Sequence, residues 1–480
     1  MAKASSPKSR PQSSTASTRQ SATPGTSTLR TPGSPPFPAR FVWGVAAAAP
    51  QIEGASAEDG KGPSVWDTFA RLPGRVAGGD TLDVACDHYH RFDDDFRLMA
   101  RLGFRHYRLS IAWPRIFPAG HGSPNPKGLD FYRRVFASMR RHGITPWVTL
   151  FHWDLPQALE DAGGWCNRAT VDAFARYADT VVAAFRRDVK HWFTINEIPC
   201  FTRLAHTGAM NKAPGYPLPA RDLNQAIHHA LLAHGHGVRA VREHGGRGSI
   251  VGAAEVPDGF VPLTETPEDI AASRQAFEDH NDQILGAPLL GEYTPRLLRR
   301  LGRDRPVVAE GDLQLIALPT DFTGVNVYTA HLVRAGGRRG YEVLPFPAGY
   351  PVPARTSWLK PVPQSIYWTT RHLAECYGPR RILITENGYG TEEIPTANGE
   401  VIDLHRRDYL RQHLLELRRA IADGVPVEGY FAWSFMDNFE WADGYSVRFG
   451  LCHTDYATQK RTPKLSAHWY SAVVRENRVV

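Results

Sequence analysis

Two glutamates each close a short apolar run. Glu197 ends His191-Trp192-Phe193-Thr194-Ile195-Asn196-Glu197, and Glu386 lies in Ile382-Leu383-Ile384-Thr385-Glu386-Asn387-Gly388. An acid that follows an apolar β-type run sits where a buried strand surfaces, so the scaffold holds it rigidly beside solvent or ligand. A single acid so placed is more often a solvated loop residue. Two of them in one domain are what cleavage of a glycosidic bond needs: one carboxyl protonates the leaving oxygen and the other attacks or activates water.

The elements that must position this pair recur along the chain. Short β-like runs cover Phe41–Ala46, Arg105–Ile111, Pro146–Phe151, His191–Asn196, Ser249–Ala254, Asp321–Asn326, Arg381–Glu386 and Gly429–Ser434. Amphipathic stretches lie between them, among them Phe92–Leu102, Leu129–His142, Ala169–Phe185 and Asn224–His244. In the last, Ala226, Leu231, Val238 and Val241 share a stripe at helical spacing. Eight strands alternating with helices predict a single (β/α)8 TIM barrel with long βα loops. The alternative, two separate α/β domains, would be supported by Gly-rich phosphate loops after the early strands, and the sequence has none. In a barrel, catalytic groups gather at the C-terminal ends of the strands. Glu197 ends the fourth run and Glu386 the seventh, while Gln51, His152, Asn326 with Tyr328, and Trp433 cap the first, third, sixth and eighth.

Bulk properties narrow the function classes. The 480 residues are 42% hydrophobic and 11% aromatic, ample for a sizeable core. Of the net charge of +7, five charges belong to the first 36 residues, which hold five Lys/Arg and no acid; the remaining +2 implies no nucleic-acid surface. Five scattered cysteines without C-x-x-C spacing suit a reducing cytoplasm, and neither a disulfide framework nor a zinc site. No apolar run approaches the ~20 residues needed to span a bilayer, and the N-terminus lacks the apolar stretch of a secretory signal. Residues 1–36 are rich in Ser, Thr and Pro and predict a disordered tail, with residues 37–480 as the catalytic domain. Pro7, Pro11, Pro24, Pro32, Pro35 and Pro36 would break the amphipathic helix of an organelle transit peptide.

Phe41-Val42-Trp43-Gly44 leading to Gln51-Ile52-Glu53-Gly54, Tyr107-Arg108-Leu109-Ser110-Ile111-Ala112-Trp113-Pro114-Arg115, and Phe151-His152-Trp153-Asp154-Leu155-Pro156 carry a resemblance to the β-glucosidases of glycoside hydrolase family 1. The two glutamate motifs, Gly324-Val325-Asn326-Val327-Tyr328, and Trp433-Ser434 through Asn438-Phe439-Glu440-Trp441 complete it, so that it runs from about Phe41 to Tyr470. It implies a retaining mechanism without metal or cofactor. Glu386 would be the nucleophile and Glu197 the acid that later becomes the base, roughly 5–5.5 Å apart. Arg108 and Tyr328 would hold Glu386 ionised, with Asn326 in support. Gln51, His152, Asn196, Glu440 and Trp441 would cradle the non-reducing sugar over Trp433, with Trp153 and Phe449 in the same binding set. Trp358 would be the platform for the leaving group. The implied partner is a β-glucoside or cello-oligosaccharide; an oligomer is left open.

Several positions depart from that pattern. Ile198 stands directly after the acid, where the family usually has proline, and a hydrophobic residue there is similar to the family's 6-phospho-β-glycosidases. Glu440 would oppose a phosphate by charge. Pro50 replaces a common aromatic and Lys212 a frequent histidine, and Val251–Val261 lacks the usual asparagine-bearing pattern after the fifth strand. The rival readings are a 6-phospho-β-glucosidase, a transglucosidase, and a silent carbohydrate-binding protein on the same fold.

Overall fold

The computed structural model describes residues 34–480. Eight parallel strands close into a barrel: β1 (Val42–Ala46), β2 (His106–Ser110), β3 (Thr145–Phe151), β4 (His191–Asn196), β5 (Ile250–Glu255), β6 (Thr323–Asn326), β7 (Ile382–Asn387) and β8 (Val427–Trp433). Each pairs with its neighbours in sequence, and β8 returns to β1 with Val42 opposite Gly429 and Ala46 opposite Trp433. Each strand of the predicted barrel is present within two residues of its expected limits. Parallel strands buried on both faces need near-continuous apolar runs, which explains their visibility in the sequence.

Eight principal helices follow the strands: α1 (His88–Arg101), α2 (Pro126–Arg141), α3 (Ala169–Phe185), α4 (Ala220–His244), α5 (Pro267–Leu290), α6 (Gln364–Tyr377), α7 (Leu404–Ala422) and α8 (Leu465–Glu476). α3 buries Val171, Phe174, Ala178, Val181 and Phe185, three or four residues apart, so one stripe faces the core. Helix α5 begins with Pro267 after Thr266, whose hydroxyl accepts the Asp269 N–H; this cap satisfies a donor that the helix itself leaves free. The Ala226, Leu231, Val238 and Val241 stripe of α4 is buried as expected.

Most of the predicted tail, residues 1–33, lies outside the described residues. Ser34–Pro36 belong to the body: the Ser34 hydroxyl donates to the Val479 carbonyl (3.1 Å), and the Pro36 carbonyl accepts from Arg418 (3.0 Å). At the end of α8, Asn477 bonds the Phe37 carbonyl and the Trp43 indole, joining both ends of the described chain. Long βα loops on the strands' C-terminal side add a three-stranded sheet, Phe260–Pro262, His331–Ala335 and Tyr341–Leu344. One close approach shapes the site: a Cβ on Gly388 would fall 1.9 Å from the Trp433 carbonyl oxygen, so only glycine lets the end of β7 lie this close to β8. Among the described residues no helix is long and apolar enough to cross a membrane.

Candidate active site

Glu197 follows β4 in left-handed backbone, φ 52° and ψ 68°, a conformation that persists in a residue with a side chain only where neighbours enforce it. Its N–H donates to the Ala254 carbonyl at 2.8 Å. One carboxyl oxygen accepts from Asn326 Nδ2 at 2.6 Å and the other from the Cys200 thiol at 3.1 Å. Asn326 is itself oriented by the Thr385 hydroxyl, which donates to Oδ1 at 2.5 Å. Glu386 lies in β7 and receives Arg108 Nη1 on Oε1 (2.5 Å) and the Tyr328 hydroxyl on Oε2 (2.7 Å). Arg108, from β2, also donates to Asn196 Oδ1 and, at 3.2 Å, to the Thr385 carbonyl. Five strand ends thus converge on two carboxyls.

Both acids are buried, and burial pushes both above the ordinary carboxylate range. At Glu386 it lifts the carboxyl to about 7, with the Arg108 guanidinium opposing the rise and the Glu197 charge adding to it. At Glu197 the rise from burial is opposed by the hydrogen bonds from Asn326 and Cys200. Two negative charges in one buried site are disfavoured, so the pair keeps a proton. A cation and a phenol donate to Glu386, whereas an amide and a thiol donate to Glu197. Charge-assisted donors are the stronger, so the negative charge settles on Glu386 and the proton on Glu197.

Beside the pair stands an aromatic and polar wall. The His152 ring lies nearly parallel to Trp433 (6.0 Å, 16°) and to Trp441 (6.0 Å, 17°). Trp441 is packed between Trp153 (4.4 Å) and Trp66 (4.5 Å). His152 Nε2 meets the Asn196 amide at 3.3 Å, and burial holds its pKa well below the usual histidine range, so it is a neutral ring. Glu440 is enclosed, and its Oε2 has no protein partner among the described residues. Burial pushes it up to about 8, with Lys212 opposing and Asp443 adding to the rise. Gln51 sits deeper: its amide donates to Asn438 Oδ1 (3.0 Å) and the Phe439 carbonyl (2.8 Å), which leaves Oε1 buried without a partner among the described residues. The loop holding these groups is pinned by Asp437, paired with Lys464 (2.7 Å) and Arg448 (2.8 Å). Unpartnered buried polar atoms beside an aromatic wall suit a ligand rich in hydroxyls.

The model of the family described as glycosyl hydrolase family 1 matches residues 34–479. The chain belongs to glycosyl hydrolase family 1. It is 42% identical over 445 residues to a 1,4-beta-D-glucan glucohydrolase of Thermotoga neapolitana, covering 92% of this chain and 98% of that protein. It is also 42% identical to a beta-glucosidase of Agrobacterium, covering 91% and 95%. Among solved structures, the family 1 β-glucosidase from Thermotoga maritima superposes with a TM-score of 0.85 at 40% identity, covering 93% of this chain and 99% of that one. The same enzyme solved in complex with glucoimidazole matches with the same score.

Within this family frame, the acids and the wall line one cavity of about 590 Å³. His152, Trp153, Asn326, Tyr328 and Phe449 reach it, as does Trp358, which is 46% exposed and meets Tyr328 edge-on (5.8 Å, 77°). Arg108 bonds the lining residue Glu386, Asn196 bonds His152 and Asn326, and Gln51, bonded to Asn438 and the Phe439 carbonyl, keeps Oε1 free of any partner among the described residues. All fourteen side chains expected from the sequence are therefore gathered in one place. Two departures resolve differently. Ile198 is fully buried and absent from the lining, so it cannot read a sugar, whereas Lys212 lines the cavity with its ammonium 5.5 Å from the Trp153 ring. Burial also raises the Glu440 carboxyl, which weakens the negative charge expected there from the sequence. Sequence reasoning missed Cys200 and Glu255, both in the lining. Glu255 carried a usable signal, an acid closing the apolar run Val251-Gly252-Ala253-Ala254. Cys200 carried none.

Proposed function

We propose that this chain is a retaining β-glucosidase that removes terminal β-D-glucosyl residues from small β-glucosides and cello-oligosaccharides. The observation that carries the reading is the unequal dressing of two acids in one cavity: Arg108 and Tyr328 on Glu386, Asn326 and Cys200 on Glu197. The ionised Glu386 attacks the anomeric carbon while Glu197 gives its proton to the departing oxygen. Esterification of Glu386 removes its charge, which lowers the Glu197 pKa, and the same residue then takes a proton from the attacking water. Asn196 holds the 2-hydroxyl, a contact that strengthens in the transition state. Gln51, His152 and Glu440 meet the other hydroxyls, and Trp433 lies under the apolar face of the ring. The relatives' names and the glucoimidazole complex support a glucoside as the ligand.

The test is Glu386→Gly. Hydrolysis of aryl β-glucosides should fall by on the order of 10⁵–10⁶-fold, as for loss of other enzymic nucleophiles. Azide should restore turnover and yield the α-glycosyl azide, because a small anion enters the vacated face. A β-azide product would move the nucleophile role to another residue.

A further inference from the structure

The two peptide N–H groups on either side of the Glu197 carbonyl are both tied to consecutive residues of β5. Glu197 N–H donates to the Ala254 carbonyl at 2.8 Å, and Ile198 N–H donates to Glu255 Oε2 at 3.0 Å. Residue 199 is proline and has no N–H to offer. Ile198 is fully buried, so its amide has no recourse to solvent and needs that acceptor. The left-handed backbone of Glu197 is thus held from β5.

We propose that Glu255 is a positioning residue for Glu197: by accepting the Ile198 N–H it fixes the peptide that aims the acid's carboxyl at the leaving oxygen. The inference rests on the reading of Glu197 as the acid. It also joins two departures from the family pattern in one hydrogen bond. A proline at 198 would need no acceptor, whereas isoleucine brings an N–H, and the acceptor comes from the β5 segment whose sequence is also unusual. Glu255 performs this without adding a second negative charge beside Glu386. Burial holds its carboxyl well above the usual range; the Ile198 hydrogen bond opposes the rise, the Glu197 charge adds to it, and Arg203 opposes it. Cys200, Lys212, Asp258 and His331 are further titratable or charged groups in the same lining, with Arg355, Glu440 and Asp443 beyond them. A protonated carboxyl still accepts through its carbonyl oxygen, so the amide is satisfied and the acid's proton is undisturbed.

The experiment compares Glu255→Leu, Glu255→Gln, Ile198→Pro and the Ile198→Pro/Glu255→Leu double variant on two substrates, a dinitrophenyl β-glucoside and cellobiose. Only the second needs its leaving group protonated. Glu255→Leu should lose on the order of tenfold more kcat/KM on cellobiose than on the dinitrophenyl glucoside, a part of the 10²–10⁴ that a general acid supplies. Glu255→Gln keeps an acceptor, so its ratio of the two efficiencies should stay within about threefold of wild type. In the Ile198→Pro background the leucine substitution should cost little further, since the N–H it orphans is gone. Equal losses on both substrates, or additive effects in the double variant, would overturn the proposal. If the leucine variants do not fold, the glutamine variant decides: a ratio shifted as far as tenfold, despite the retained acceptor, refutes it. Glu197→Ala is measured alongside, and a loss there without leaving-group dependence would refute the acid reading rather than this one.

Discussion

The two halves of the cavity are built differently. On the sugar side, each polar group is fixed by another: Asn326 by Thr385, Asn196 by Arg108 and His152, Gln51 by Asn438, and the Glu440 loop by the Asp437 ion pairs. These groups come from strand ends or from residues buried against them. On the proposed leaving-group side stands the loop residue Trp358, nearly half exposed, with an edge-on ring contact to Tyr328. Rigid networks favour a single bound geometry, and loops tolerate variety. Substitutions on the sugar side should therefore lower turnover of every substrate, and those on the far side should re-rank substrates.

The largest departure from that rule should come from Glu197, which faces both halves. Glu197→Ala should slow alkyl glucosides and cellobiose by about 10²–10⁴-fold while sparing the glycosylation step on dinitrophenyl glucosides. Pre-steady-state bursts measure that step directly. Equal loss on both would remove Glu197 from the acid role.

Next, Glu440→Ala should cost every glucoside alike. Each hydroxyl contact to a carboxylate is worth roughly 1.5–3 kcal/mol, a loss on the order of 10–100-fold. Part should fall in kcat, because binding energy away from the reacting carbon also positions it. Because hydroxyl donors favour the ionised form, sugar binding should pull the Glu440 pKa down from about 8 and release a proton at pH 7.5. Calorimetry of inhibitor binding in two buffers of different ionisation enthalpy reads that proton. Wild type should prefer an aryl β-glucoside over its 6-phosphate; the reverse preference would make Lys212 a phosphate ligand and sink the free-sugar reading.

Tyr328→Phe sharpens the comparison through pH. The hydroxyl lowers the Glu386 pKa by donating to the carboxylate. Without it the folded carboxyl holds its proton to higher pH, so the acid limb of kcat/KM should move up. At a pH below that limb the rate should fall by about tenfold, the value of one pKa unit. An unmoved limb would detach Tyr328 from the nucleophile.

The same contrast governs how much was legible in the sequence. The barrel could be read because strands buried on both faces leave unbroken apolar runs, and the two acids could be read because each ends one. Asn326 and Tyr328 could be read as the cap of the sixth run, while Arg108 and the roles of all three followed through the family resemblance. What stayed hidden depends on spatial neighbours rather than on local pattern. Cys200 meets the acid only because the chain turns after Pro199, and Gln51 meets Asn438 across 387 positions. The raised pKa of Glu440 is likewise set by burial, which no run of residues reports. Ile198 misled for the converse reason: its side chain points into the core, and what it contributes to the site is its backbone N–H.

The smallest effect should come from Trp358. Its ring lines the cavity, is nearly half exposed and meets only the edge of Tyr328 among the aromatic contacts of the described residues, so truncation should leave the acids and the sugar wall in place. Stacking of an aryl group on such a ring adds about 0.5–1.5 kcal/mol beyond area burial. Trp358→Ala should therefore lower kcat/KM for aryl glucosides by about 2–12-fold and change methyl β-glucoside little. Inhibition by glucose, which fills only the sugar side, should stay the same. Competition between an aryl and a methyl glucoside in one reaction reads the ratio without separate rate constants. If glucose inhibition weakened in parallel, the two halves would be one mechanical unit and the division between rigid wall and adaptable loops would not hold.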